Sequence, residues 1–138
     1  MHNIRYTDNP ENIEPEMLQG FFVGWPKPPT PEKHLEILKN SYAVVLAVDE
    51  NTEQVVGFIN AVGDGILCAY LPLLEVLPEY QKCGIGGELV QRMVEKLNRL
   101  YMIDLVCDES LVDFYRKHGL KPHRAMMIRN FDRQSGEA

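Results

Sequence analysis

Short apolar runs separated by turn residues fill the first half of the chain, and a 3.6-residue apolar period takes over after position 80. Residues 3–6 read as a short first strand. Asn9-Pro10-Glu11 reads as a helix start, followed over 13–22 by loosely periodic apolar residues. Trp25-Pro26-Lys27-Pro28-Pro29 cannot be helical, because three prolines remove donors and fix φ. Thr30-Pro31-Glu32-Lys33 predicts a helix entry, with Thr30 as N-cap and Pro31 at the first helical position. That helix should end near Asn40. Residues 42–48 and 54–62 are β-rich apolar runs joined by the polar 49–53, a β-hairpin pattern. After the turn Gly63-Asp64-Gly65, residues 66–76 form a long third run. Pro72 lies inside it and cannot donate to a ladder, so a bulge or an unpaired side is expected there.

Residues 84–101 predict one amphipathic helix. Ile85, Leu89, Val90, Met93, Val94 and Leu97 share a face, and Glu88–Arg92 and Glu95–Arg99 are favourable i,i+4 pairs on the other. Residues 102–107 return to strand, and 110–118 read as a short helix with Gly119 as C-cap. Residues 125–131 read as a final strand and 134–138 as a frayed tail. The order is strand, helices, three-strand meander, helix, strand, helix, strand.

The chain has 138 residues, the usual size of one domain, with 45% hydrophobic and 25% charged residues. No apolar run reaches the roughly 18–20 residues that cross a bilayer, and the N-terminus lacks a signal-peptide core, so a cytoplasmic protein without membrane partners is expected. Cys68, Cys83 and Cys107 are too scattered for a disulfide framework, and no Cys/His spacing suggests a metal. The net charge of −6 argues against a nucleic-acid partner. It still allows an anionic ligand bound by backbone dipoles, and it suits a neutral or cationic second substrate.

The chemistry concentrates in the stretch from Leu74 to Leu89: a strand end, a short loop, and Gly84, Gly86 and Gly87 opening the long helix. The first N–H groups of a helix have no internal partners and form an anion site. A helical glycine costs about 0.8–1 kcal/mol relative to alanine, which suggests a steric need; the competing reading is a glycine-rich turn that only aids packing. The dinucleotide fingerprint would need glycine at 89, where the chain has Leu89, and a Gly-Lys-Ser/Thr phosphate loop is absent.

Gln81-Lys82-Cys83-Gly84-Ile85-Gly86 resembles the Q/R-x-x-G-x-G/A pyrophosphate motif of the GNAT acetyltransferases. The preceding Leu74–Tyr80 stretch looks like that family's fourth strand and the turn after it. Phe114-Tyr115-Arg116-Lys117-His118-Gly119-Leu120 resembles the family's F-Y-x-x-x-G-F segment, with Leu120 in place of the usual Phe. The likeness covers about residues 42–131. The run is also similar to the plant chloroplast arylalkylamine-acetyltransferase-like group and its bacterial relatives.

The resemblance implies an α/β (mixed α+β) fold in one domain: a mostly antiparallel sheet of six or seven strands, splayed between the fourth and fifth, with helices on both faces and residues 1–41 shaping the acceptor side. It implies acetyl-CoA as co-substrate and a primary amine as acceptor, joined by direct attack in a ternary complex, with homodimers common. Cofactor contacts would come from Leu74, Val76, Gln81, Lys82, Cys83, Gly84, Ile85, Gly86, Gly87, Phe114 and Lys117. Tyr115 would protonate the leaving thiolate, a transfer uphill by about 2 kcal/mol from unperturbed values, so the step must be concerted or the site must lower the tyrosine. Freeing the amine proton at neutral pH costs about 4–5 kcal/mol, and Asp108, Glu75 and Glu109 are candidate bases. Each also has a plainer reading, Asp108 as a cap for the helix after it. Cys83 beside a helix N-terminus could be a nucleophile, but direct-transfer chemistry favours a packing role. Trp25 and the prolines after it either line the acceptor pocket or form a surface connector. Two other function classes compete: a non-catalytic acyl-CoA-binding regulatory module, which would not need Tyr115, and a loop for another nucleotide, indifferent to CoA.

Overall fold

The computed structural model describes residues 2–137; Met1, and Ala138 at the end of the expected tail, lie outside the described residues. Strands β1 (Ile4–Thr7), β2 (Ala43–Asp49), β3 (Gln54–Gly63), β4 (Cys68–Tyr70), β5 (Leu74–Val76) and β6 (Met102–Asp104) form one sheet in the order β1-β2-β3-β4-β6, with β5 also beside β3. Every pairing is antiparallel except β4 with β6. Helices are α1 (Pro31–Lys39), α2 (Ile85–Lys96) and α3 (Val112–Arg116).

Alternation along β2 and β3 splits the core into two layers. Val45, Ala47, Val56 and Ile59 face α2 through Ile85, Leu89, Val90 and Met93. Val44, Leu46, Val48, Val55 and Phe58 face the other way, toward Leu38 of α1 and Ile13, Leu18, Phe21 and Phe22. Helices therefore cover both faces, and the mixed, mostly antiparallel splayed sheet is the expected one. The hairpin and α1 also follow expectation, with Thr30 Oγ1 accepting from the Lys33 N–H at 3.1 Å.

Six elements differ from the sequence reading. Residues 9–22 hold only a 3-10 turn, Pro15–Met17. Pro10 and Pro15 remove donors that a helix there would need, and Gly20 adopts φ +86°. The apolar residues of that segment are nevertheless buried; their spacing serves a wrapping loop. The run over 66–76 is two strands, broken at Leu71-Pro72-Leu73. The fifth expected strand stops at Asp104 instead of 107. The helix expected over 84–101 ends at Lys96. The one expected over 110–118 is a 3-10 turn, Glu109–Leu111, followed by the five residues of α3. The final strand over 125–131 does not form: residues 121–130 are exposed and belong to no ladder among the described residues. At the end of the chain, Gln134 Oε1 accepts the Lys27 N–H at 3.1 Å.

Pro72 produces the opening between strands. Pairing of β4 with β6 closes with the Leu71 N–H donating to the Asp104 carbonyl at 2.9 Å. Pro72 has no N–H to continue it. Buried Asn60 in the middle of β3 repairs the break on the other side. Its Oδ1 accepts the Leu73 N–H at 3.1 Å, its backbone N–H donates to the Leu73 carbonyl at 3.2 Å, and its Nδ2 donates to Ser41 Oγ at 3.0 Å. β5 is thus held against β3, while residues 105–108 leave the sheet.

Candidate active site

The Leu73 carbonyl and the Leu77 N–H both bond to β3, and Glu75 lies opposite Phe58. Strand alternation then turns the N–H and C=O groups of Leu74 and Val76 to the open edge. Their side chains pack with Tyr115 and Phe114 in the α2 layer. The Val76 carbonyl has one partner on that edge, the Gln81 side-chain amide, which donates at 2.9 Å.

The turn Pro78–Tyr80 leads from β5 to α2. Tyr80 Oη donates to Asp49 Oδ2 at 2.7 Å, and Asp49 also accepts the Asn51 N–H at 2.9 Å. These bonds hold the Asp49 carboxyl below its ordinary pKa and raise that of Tyr80. The loop is thereby pinned to the β2–β3 turn. The Gln81 N–H is used on the Pro78 carbonyl at 3.3 Å. Lys82 at φ +65° and Gly84 at φ +82° turn the loop into the helix, and Gly84 caps α2 without any side-chain bond. Gly57 lets α2 sit close: a Cβ there would meet Leu89 Cδ1 at 3.2 Å and Ile85 Cγ2 at 3.3 Å.

Gly86 and Gly87 are different. A Cβ at Gly86 would meet nothing nearer than Phe114 Cζ at 3.7 Å, and one at Gly87 nothing nearer than His118 Nε2 at 3.8 Å. The chain's own packing does not require glycine at either position, although each costs about 0.8–1 kcal/mol in helix propensity. The missing side chains leave room for something outside the chain, beside the uncapped N–H groups of α2. That is the donor set a pyrophosphate needs. Cys83 is exposed, with its Sγ donating to the Gln81 carbonyl at 3.6 Å.

Tyr115 is buried at the end of α3. The Leu120 N–H donates to the Tyr115 carbonyl at 3.3 Å and the Gly119 N–H to Arg116 at 3.0 Å, with Gly119 at φ +91°, so the helix ends with a double cap. Burial, then the nearby Cys107 thiol, pushes the Tyr115 hydroxyl up to about 12. The site therefore raises this tyrosine, removing one of the two ways it could serve as an acid. Lys117, Asp108 and Glu109 are exposed; Asp108 precedes the 3-10 turn and makes no side-chain cap bond.

Glu75 points to the opposite face from Leu74 and Val76. It binds the loop before α1: Oε1 accepts the Phe22 N–H at 2.8 Å and Oε2 the Val23 N–H at 3.2 Å. Phe22 holds φ +63° there. Glu75, Phe22, Val23, Trp25, Phe58, Leu73, Leu74 and Gln81 line a cleft of about 320 Å³. Trp25 is thus a wall of the cleft, its ring 4.8 Å from the Phe22 ring and tilted 56° to it. Sequence reasoning missed the Glu75 clasp, the Gln81 bond and Asn60. An Asn inside an apolar strand opposite a proline-broken one was the available signal for the last.

A sheet opened at one edge beside an uncapped, glycine-started helix, with a separate cleft across the strand, is the arrangement of the GNAT acetyltransferases. The chain belongs to this group: the model of the acetyltransferase (GNAT) family matches residues 11–120. It is similar to a crystal structure of a putative acetyltransferase from Deinococcus radiodurans, with 45% identity, 98% of this chain and 94% of that one covered, and a TM-score of 0.93. A GNAT-family acetyltransferase from Streptococcus pneumoniae is 30% identical over 93% of this chain and 98% of its own, with a TM-score of 0.74. The chloroplastic GCN5-related N-acetyltransferase 1 of Arabidopsis thaliana is 29% identical over 79% of this chain, which spans only 57% of that protein's length.

Proposed function

We propose that the protein transfers an acetyl group from acetyl-CoA to a primary amine by direct attack in a ternary complex. The observation that carries this reading is the pair of helix glycines, Gly86 and Gly87, that the chain's packing does not require, set beside an open strand edge and Tyr115. Acetyl-CoA supplies an activated acyl carbon and a thiol leaving group. Backbone N–H groups from Lys82 to Gly87 hold the pyrophosphate, with Phe114 and Lys117 alongside. The outward N–H and C=O groups of Leu74 and Val76 pair with the pantetheine arm as a strand would. A β5 N–H aimed at the thioester oxygen stabilises charge as it develops.

Tyr115 is neutral at physiological pH and has a proton to give. From about 12 to a free thiol near 8.5, full transfer is uphill by about 5 kcal/mol. The proton must therefore move as the C–S bond breaks. On the acceptor side, Glu75 is the one carboxylate lining the cleft among the described residues. Each of its oxygens accepts one backbone N–H and retains a lone pair for an amine or a bridging water.

The test is calorimetric titration with acetyl-CoA, with ATP and NAD as controls and Gly86→Glu alongside. The Gly86 site has room for a Cβ, so the variant should fold while placing a carboxylate at the anion site. Micromolar binding, selective for acetyl-CoA and lost in the variant, is expected. Failure of the wild-type protein to bind overturns the assignment; binding without turnover of any amine favours the regulatory-module alternative.

A further inference from the structure

Helix α1 buries two side chains, His34 and Leu38, one turn apart on the same face. Leu38 suits that place and His34 does not. The His34 ring is 1% exposed, and neither of its nitrogens has a hydrogen-bond partner among the described residues. A buried polar group left in that state destabilises a fold, and a second leucine would not. The ring also lies directly behind the cleft. Its centroid is 4.4 Å from that of Phe58 and 4.9 Å from that of Phe22, and both of those residues line the cleft. One ring's thickness separates the imidazole from the opening.

A second local cost falls on the same wall. Phe22 holds φ +63°, a backbone conformation that L side chains disfavour, between Gly20 at φ +86° and Gly24 at φ +84°. A Cβ at Gly24 would meet nothing within 4 Å, so backbone shape and not crowding requires glycine there. The Glu75 carboxylate fixes this backbone through the Phe22 and Val23 N–H groups. What remains free to move at Phe22 is its ring, about the side-chain torsions. Breaches of local rules that gather at one place mark functional sites.

Resting on the acceptor-side reading of the cleft, we infer that the cleft continues behind the Phe22 ring and that His34 determines acceptor specificity: the acceptor is a primary amine whose far end carries a hydroxyl, which displaces Phe22 and hydrogen-bonds to the imidazole. A neutral imidazole offers one N–H and one lone pair, and a hydroxyl answers either. A carboxylate or a second ammonium does not fit, because the rings of Phe21, Phe22 and Phe58 around His34 supply no opposite charge. The same surroundings keep the imidazole neutral, with burial lowering its pKa to about 4. Glu75 takes the amine end, and Trp25 and Leu73 flank the carbon chain between.

The experiment compares aminobutanol, aminopentanol and aminohexanol with pentylamine, hexylamine and heptylamine, which carry a methyl in place of the hydroxyl, as kcat/KM at saturating acetyl-CoA. At one length the wild-type protein should favour the hydroxyl by at least ~10-fold, and His34→Leu should reverse the preference by leaving that hydroxyl unpaired. Far-UV circular dichroism of the variant is the fold control. Nitrogen NMR of the histidine rings reads the same contact without turnover, with the amine added in the presence and absence of CoA. The favoured alcohol should move one ring nitrogen of His34, and its alkylamine counterpart neither. A wild-type preference for the alkylamine at every length overturns the inference, as does a hydroxyl preference that survives His34→Leu. An unmoved His34 signal at saturating alcohol overturns it too. Equal turnover of alcohols and alkylamines refutes the role of His34 and leaves acetyl transfer standing; a moved His34 signal with no turnover does the reverse.

Discussion

His34 offers a quantitative test of the layer behind the cleft. Its side chain is 1% exposed, with ring centroids 4.4 Å from Phe58, 4.9 Å from Phe22 and 5.3 Å from Phe21. Neither ring nitrogen has a hydrogen-bond partner among the described residues. Burial lowers its pKa from 6.5 to about 4. The folded state therefore refuses a proton that the unfolded chain accepts below pH 6.5. Its contribution is fully present above that pH and is lost as the pH falls toward 4. Across that window the loss is about 3 kcal/mol, at 1.36 kcal/mol per pKa unit.

His34→Leu removes the titration. At pH 7 it also removes two unpaired polar atoms, worth about 1–3 kcal/mol each, against roughly 1 kcal/mol of lost aromatic contact. The variant should be the more stable protein at pH 7. Its advantage should widen by about 3 kcal/mol between pH 7 and pH 4. Asp64, held down to about 2 by the Leu67, Ile66 and Cys68 N–H groups, titrates in both proteins and cancels in the difference. Urea unfolding of the pair at four pH values measures this. A stability difference independent of pH would refute the reasoning.

Asn60→Ala should cost about 2–4 kcal/mol in urea unfolding, because the Leu73 N–H loses its acceptor in a buried site, whereas Ser41→Ala should cost about 1 kcal/mol; equal losses would deny the repair at Pro72. Tyr115→Phe should lower kcat about 100-fold with little change in KM for acetyl-CoA. With its hydroxyl near 12, Tyr115 stays protonated through neutral and mildly alkaline pH. The substitution should therefore leave any alkaline limb at about pH 8–10 in place, and a limb that vanishes would contradict the assignment. Gln81→Ala frees the Val76 carbonyl and should tighten acetyl-CoA binding by about 2–10-fold in calorimetry, the opposite sign from a side chain that grips the ligand.

Much of the fold was legible because its signals are local. Thr30-Pro31 marks a helix start, the 49–53 turn joins two β-rich runs, and Gly84 breaks strand from helix within a few residues. The site's loop was legible for the same reason. What failed depends on distance. The apolar spacing over 13–22 fits a helix as well as a wrapping loop, and only prolines and the Glu75 clasp, more than fifty residues away, decide between them. Glu75 was singled out from its alternation with Leu74 and Val76, but its partners could not be. The strand expected over 125–131 has the right residues, yet nothing among the described residues pairs with it.

A sheet edge that accepts a ligand's amide groups would accept a stray polypeptide by the same bonds, and such edges seed aggregation. Here the exposed edge is only three residues, Leu74–Val76, bracketed by Pro72 and Pro78. A foreign strand would run out of donors after one residue pair in either direction. Gln81 also covers the Val76 carbonyl. The prolines that spoil the strand thus limit what the opening can admit, and so guard the chain against edge-to-edge association.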